Sequence, residues 1–230
     1  MTSTIADNIA RIRSAIDAAR RSAQDVKLIA VSKTHPVESI RVAIDAGQYV
    51  FGENTTQEAL AKIPTFVDAE LEWHFIGHLQ SNKAKFVPGH FSWLHSLDSV
   101  KLAQRLSRAA QEQQALLRVL IEVNVTRDPQ KHGVAPTDIF SLIDDLLKQN
   151  LPNIELRGLM TVGPHPAGES EIRAAFASLR RLRDDVAQRF ALPNFTELSM
   201  GMSGDYLDAV KEGSTMIRVG SAIFGARDYA

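Results

Sequence analysis

The sequence predicts an α/β fold, a single (β/α)8 barrel (TIM barrel) with an extra helix at the amino terminus. Three observations carry this. Eight β-rich runs alternate with helical patterns, as a closed parallel sheet requires. The 230 residues fit one barrel domain and suffice to bury a sizeable core. No Pro- or Ser-rich linker and no internal repeat divides the chain, so residues 1–230 are read as one domain. The Pro- and Gly-containing piece at 163–168 is read as a loop.

The elements follow in order. Residues 4–22 read as a helix, because Ile5, Ile9, Ile12, Ile16 and Ala19 recur at helical spacing and Thr4 with Asp7 resembles a capping box. Strand candidates lie at 27–33, 49–53, 73–77, 92–97, 118–125, 156–162, 197–200 and 216–224. Pro36 opens the helix after the first strand and Gly47 closes it. Leu102, Leu106 and Ala110 mark the helix after the fourth strand; Ile139, Leu142, Ile143, Leu146 and Leu147 mark the next. Ile172, Ala175, Phe176, Leu179, Leu182 and Val186 mark the helix after the sixth strand, and 55–63, 81–86 and 204–212 are shorter helical segments. Ala230 follows closely on the eighth strand, so the helix at 4–22 is expected to fill the place on the outer ring beside it.

Bulk properties exclude several function classes. The net charge of −1, without long runs of one sign, argues against a dedicated nucleic-acid or membrane-surface protein. The absence of cysteine removes disulfides, thiolate metal sites and cysteine nucleophiles. No apolar run reaches membrane-spanning length. Asp7, Arg11, Arg13 and Asp17 interrupt the amino-terminal segment, unlike the apolar core of a signal peptide, so the expected location is the cytoplasm.

The run Leu28-Ile29-Ala30-Val31-Ser32-Lys33 reads as a buried strand ending on a lysine. The carboxyl ends of barrel strands are where such folds carry chemistry. A lysine amine partly withdrawn from water loses proton affinity and condenses with aldehydes. Lys33 is thus a Schiff-base candidate, with pyridoxal 5'-phosphate (PLP) the leading aldehyde; the plainer alternative is a solvated strand-end lysine. Strand alternation sends Glu122 and Asn124 inward from 118–125, and Met216, Arg218 and Gly220 inward from the eighth strand. An arginine inside a barrel needs a partner, either an internal one such as Glu122 or a ligand. Ser199-Met200-Gly201-Met202-Ser203-Gly204-Asp205 follows the seventh strand and Gly220-Ser221 lies on the eighth. Loops at these places commonly cradle phosphate through backbone N–H groups. Asp205 would repel a phosphate and is expected to cap or begin a helix instead. His74 and His78 lie four apart on a strand and loop rather than a helix, which does not suit a metal.

These pieces in this order resemble the PLP homeostasis protein family, whose fold is a barrel of the alanine racemase N-terminal-domain type. The matching stretches are AVSKTHP at 30–36, FGENTTQE at 51–58, WHFIGHLQSNKAK at 73–85, HSLDS at 95–99, RGLMTV at 157–162 and LSMGMSGDYLDAVKEGSTMIRVGSAIFGAR at 198–227. The resemblance implies that Lys33 forms the Schiff base and that Arg218 lies against the pyridine nitrogen. It further implies that Ser203, Gly204, Gly220 and Ser221 hold the phosphate and that Asn54 and Asn124 lie near the ring. Thr55, Ser221 and His35 depart from the residues frequent in the family; Ser221 keeps the hydroxyl.

Chemistry bears on whether such a protein is a catalyst or a carrier. An arginine at the ring nitrogen only donates a hydrogen bond, which leaves that nitrogen unprotonated and weakens the ring as an electron sink. A two-base racemase also needs a second acid/base on the opposite ring face. Tyr49, Tyr206 and Tyr229 have no motif support for that role. This chemistry favours a PLP-binding role over catalysis; the resemblance implies a part in vitamin B6 homeostasis, with PLP-dependent apo-enzymes as recipients, and a monomer is expected. The rivals are a weak PLP-dependent amino-acid racemase and, further off, a Schiff-base aldolase.

Overall fold

The computed structural model describes residues 3–225. Eight parallel strands close into a barrel in chain order: β1 (Lys27–Val31), β2 (Val50–Glu53), β3 (Glu72–Phe75), β4 (Trp93–Leu97), β5 (Leu117–Glu122), β6 (Ile154–Met160), β7 (Glu197–Ser199) and β8 (Met216–Val219). Closure pairs β1 with β8, placing Ile29 opposite Arg218. The helices are α1 (Ile5–Ala19), α2 (Val37–Asp45), α3 (Thr56–Lys62), α4 (Val100–Glu112), α5 (Ile139–Leu147), α6 (Glu169–Arg189), α7 (Tyr206–Lys211) and α8 (Ser221–Phe224). Short 3-10 turns at Ile63–Phe66 and Ser81–Phe86 complete the connections on either side of β3.

The α1 helix starts where its chemistry dictates. The Thr4 hydroxyl accepts from the Asp7 amide, and the Asp7 carboxylate accepts from the Thr4 amide, which satisfies donors the first turn leaves unpaired. Its apolar stripe, Ile9, Ile12 and Ile16, is buried, each side chain contributing roughly 1.5–3 kcal/mol. The helix packs against α2, α7 and α8, in the gap of the outer ring between β8 and β1, as expected. The Asn8 side chain fastens it there by donating to the Ile223 carbonyl at 2.9 Å.

Strand alternation divides the core in two. Residues such as Phe51, Phe75, Leu94, Ile121, Leu159, Leu198, Ile217 and Val219 face the helices in one continuous layer. Ile29, Trp93, Leu120, Met160 and Met216 fill the barrel interior. One boundary departs from the sequence reading. The run 216–224 is strand only to Val219; at Gly220 the backbone turns helical (φ −113°, ψ −79°), and the Ile223 and Phe224 amides donate to its carbonyl. An apolar run does not by itself distinguish strand from buried helix.

Candidate functional site

The carboxyl ends of the strands open into a cavity of about 620 Å³, in the range of small-molecule sites. Lys33, Asn54, Glu122, Ser203, Gly204, Asp205, Arg218, Gly220 and Ser221 all line it. Lys33 lies two residues past β1 and keeps the inward parity of Ile29 and Val31. Thr34 next to it adopts φ +65°, and its amide donates to the Glu58 carboxylate. Buried Lys62 braces the same turn, donating to the Ser32 carbonyl at 2.8 Å, to Glu53 at 3.0 Å and to Glu58 at 2.5 Å. The Ser32 hydroxyl donates to Glu53 at 2.7 Å. The lysine turn is therefore held by a network beneath the cavity floor rather than by packing alone.

The glycine-rich segments meet across the cavity from one another. The amides of Gly220 and Ala222 both donate to the Ser203 hydroxyl at 3.3 Å, which joins the loop after β7 to the start of α8. A Cβ placed on Gly204 would meet no protein atom within 4 Å, so this backbone faces open space that a ligand oxygen could occupy. Asp205 occupies the N-cap position of α7, and its carboxylate accepts from the Met202 amide at 2.5 Å. Burial pushes the Asp205 carboxyl up.

Arg218 is buried at the cavity floor, where it donates to the Ser199 hydroxyl at 2.5 Å and to the Thr161 carbonyl at 2.9 Å. No salt bridge joins it to Glu122 among the described residues, so the internal ion pair weighed from the sequence is not formed. Burial draws its proton affinity down to about 10, still cationic at neutral pH. Burial likewise pushes the Glu122 carboxyl up. Below Arg218, His95 Nδ1 lies 2.8 Å from the Ser199 hydroxyl, His95 Nε2 lies 2.8 Å from His74 Nδ1, and His74 Nε2 lies 2.7 Å from Glu72. Both imidazoles are fully buried.

The buried imidazoles make the fold acid-sensitive. Burial lowers the proton affinity of His74 from 6.5 to about 4, and His95 is lowered well below its ordinary value. The unfolded chain then takes up the proton first, so stability is full above about pH 6.5 and is lost as pH falls toward 4. His74 alone contributes on the order of 3 kcal/mol to this loss. Denaturant midpoints measured across that window should fall with decreasing pH, and less steeply for His74→Gln. A His74→Gln slope equal to that of the wild type would contradict the assignment.

The profile of the alanine racemase N-terminal domain family matches residues 3–228. The pyridoxal phosphate homeostasis protein of Pseudomonas aeruginosa is 47% identical over 232 residues, covering 99% of this chain and 97% of that one. Its counterpart in Vibrio cholerae is 44% identical over 235 residues, covering 99% and 98%. The chain belongs to the pyridoxal phosphate homeostasis protein family. Among solved structures, that of PipY from Synechococcus elongatus PCC7942 with PLP bound is similar to this fold. Its TM-score is 0.86 at 40% identity, over 96% of this chain and 100% of that one.

Set beside the family expectations, seven of the eight candidate residues gather at one cavity and Asn124 does not. Asn124 lies two residues past β5, where its side-chain amide donates to the Asp128 and Lys131 carbonyls at 2.7 and 3.2 Å. Its carbonyl oxygen accepts from the Thr126 hydroxyl and the Asp128 amide. That side chain is spent on shaping the loop at 124–131, a role inward parity alone does not reveal. Asn54 does line the cavity, and Gly77 lets β3 approach it: a Cβ there would lie 2.1 Å from the Asn54 carbonyl oxygen. The sequence reading missed the Ala222 amide, a backbone donor that carries no side-chain signal, and the Ser199–His95–His74 chain. His74 and His78 part company: His74 is enclosed in the barrel, while His78 stacks on His132 at 3.9 Å. Among the described residues no tyrosine lines the cavity; Tyr206 is buried behind it and Tyr49 is exposed just before β2, while Tyr229 lies outside the described residues.

Proposed function

We propose that this protein holds PLP as a Schiff base on Lys33 and takes part in intracellular PLP homeostasis. The observation that carries the reading is the convergence of Lys33, Arg218 and the Ser203/Gly220/Ala222 cradle on one cavity of about 620 Å³. The residues fit the cofactor: an amine for its aldehyde, a fixed cationic donor for its ring nitrogen, and amides with hydroxyls for its phosphate. Lys33 supplies the nitrogen of the imine and the aldehyde oxygen leaves as water. Arg218 donates to the ring nitrogen. Ser203, Gly204, Gly220 and Ser221 hold the phosphate, joined by the Ala222 amide, and Asn54 borders the ring. The relatives named for PLP homeostasis and the PLP-bound structure of PipY support the same reading.

PLP itself supplies an electrophilic carbonyl and an electron-accepting ring. The chain contributes retention and orientation. An arginine at the ring nitrogen and, among the described residues, a cavity lined by no tyrosine both favour carriage over racemisation. The whole chain acts as one monomeric cytoplasmic unit that yields its cofactor to PLP-dependent apo-enzymes. No described helix is long and apolar enough to cross a membrane.

The test is the visible absorption of the purified protein mixed with PLP, before and after borohydride. A yellow band that bleaches on reduction, with the phosphopyridoxyl group found on Lys33 by peptide mass, is expected. Protein that stays colourless with added PLP would overturn the reading.

A further inference from the structure

We infer that Ser199, His95, His74 and Glu72 are positioning residues for Arg218, forming a proton-ordered relay across the barrel that fixes the guanidinium as a donor toward the cavity. The inference rests on the proposed PLP reading for what Arg218 faces, but the order of the protons stands on the fold alone.

The relay has fixed ends. Arginine has only donors, so the Ser199 oxygen accepts from Arg218 at 2.5 Å. At the other end Glu72 accepts from His74 at 2.7 Å and from Lys27 Nζ at 2.5 Å. Burial pushes the Glu72 carboxyl up, but the hydrogen bonds from His74 and Lys27 and the Lys27 charge outweigh it and hold the group at about 2, so at neutral pH Glu72 only accepts. His74 therefore carries its proton on Nε2 and offers a bare Nδ1. His95 must then donate from Nε2 to His74, leaving its own Nδ1 to accept the Ser199 hydroxyl proton. The reverse order would set a lone pair of His74 against the carboxylate. With both imidazoles neutral, one arrangement satisfies every member.

Charge and packing support the same order. The groups acting on the two rings are Glu72, Lys27 and Arg118 for His74, and His74, Arg218 and Lys27 for His95. Three of these are cations, and only Glu72 favours protonation of His74. Trp93 stacks on His74 with centroids 5.6 Å apart and planes 5° from parallel, which holds that ring's orientation. The relay spans β3, β4, β7 and β8, so a carboxylate at the amino-terminal end of the barrel balances an arginine beneath the cavity through aligned dipoles. With two of its donors engaged by Ser199 and Thr161, Arg218 cannot swing and keeps its remaining N–H groups for a ligand.

Nitrogen-15 NMR of the unliganded wild-type chain, labelled in histidine, reads the order directly. Expected are neutral His74 and His95, each protonated at Nε2 and bare at Nδ1, at neutral pH. A protonated Nδ1 in either ring overturns the relay whether or not PLP binds. The consequence is read with ring-nitrogen-labelled PLP. His95→Leu and Ser199→Ala should move the ring-nitrogen resonance and weaken retention roughly 10-fold, the loss of about one charge-assisted hydrogen bond. His95→Gln, whose amide also donates at one atom and accepts at the other, should restore the wild-type signal. If neither His95→Leu nor Ser199→Ala moves the resonance, the positioning role is overturned. If the wild type forms no yellow complex, the PLP reading falls, while the tautomers still decide the relay.

Discussion

Lys33→Ala is expected to abolish both the yellow band and the borohydride-stable adduct while leaving the barrel folded. The side chain hangs from a turn rather than a strand, and two of the contacts that shape that turn belong to its neighbours: the Ser32 carbonyl accepting from Lys62, and the Thr34 amide donating to Glu58. Truncating position 33 to Cβ leaves these intact, so circular dichroism and the thermal midpoint should stay near those of the wild type. Noncovalent retention through the phosphate cradle should persist at reduced affinity, measurable by equilibrium dialysis. An adduct of undiminished yield in the alanine variant would place the attachment on another lysine. Lys62 is a poor candidate for that role, because its ammonium is buried and bonded to Ser32, Glu53 and Glu58.

Gly158→Ala is the substitution with the largest expected cost to stability. Gly158 pairs with Glu197 where β6 meets β7, and an added Cβ would lie 1.9 Å from the Glu197 carbonyl oxygen and 2.7 Å from its carbon. The obstruction is backbone, so no rotamer change relieves it. The strands must separate at a point where the ladder is only three residue pairs long. The expected destabilisation is about 3–5 kcal/mol, above the roughly 1–3 kcal/mol usual for overpacking because the clash is with backbone and ladder bonds are lost as well. The damage should reach the site as well, because β7 carries Ser199 and leads into the Ser203–Gly204 turn. Chemical denaturation and PLP uptake should fall together; a variant of wild-type midpoint would show that the ladder tolerates the shift.

Much of this molecule is legible in its sequence. Periodicity placed the eight strands, and the Thr4/Asp7 pattern located the start of α1. Parity along a strand sent Glu122, Arg218 and Gly220 to the same side, because side chains alternate with period two and a barrel has one inside; Lys33 is placed by its position at the carboxyl end of its strand. Parity failed at Asn124, which lies beyond the last ladder residue of β5, where the chain no longer alternates. It also left open what Arg218 would bond. Glu122 is the obvious charge, but the partners are a hydroxyl on β7 and a carbonyl just past β6. Such choices depend on register between strands distant in sequence. The His95–His74 contact was hidden for the same reason: 21 residues and a strand boundary separate two histidines that meet only when β3 and β4 pair.

The bond between Ser203 and the two amides at the start of α8 bears on how easily the protein lets go. Those donors have a partner within the fold itself, so a phosphate engaging them trades one acceptor for another rather than rescuing stranded groups. The gain on loading is correspondingly modest, and departure strands nothing, because the serine oxygen takes the amides back. A grip built on exchange suits a reservoir, whose usefulness lies as much in discharge as in capture.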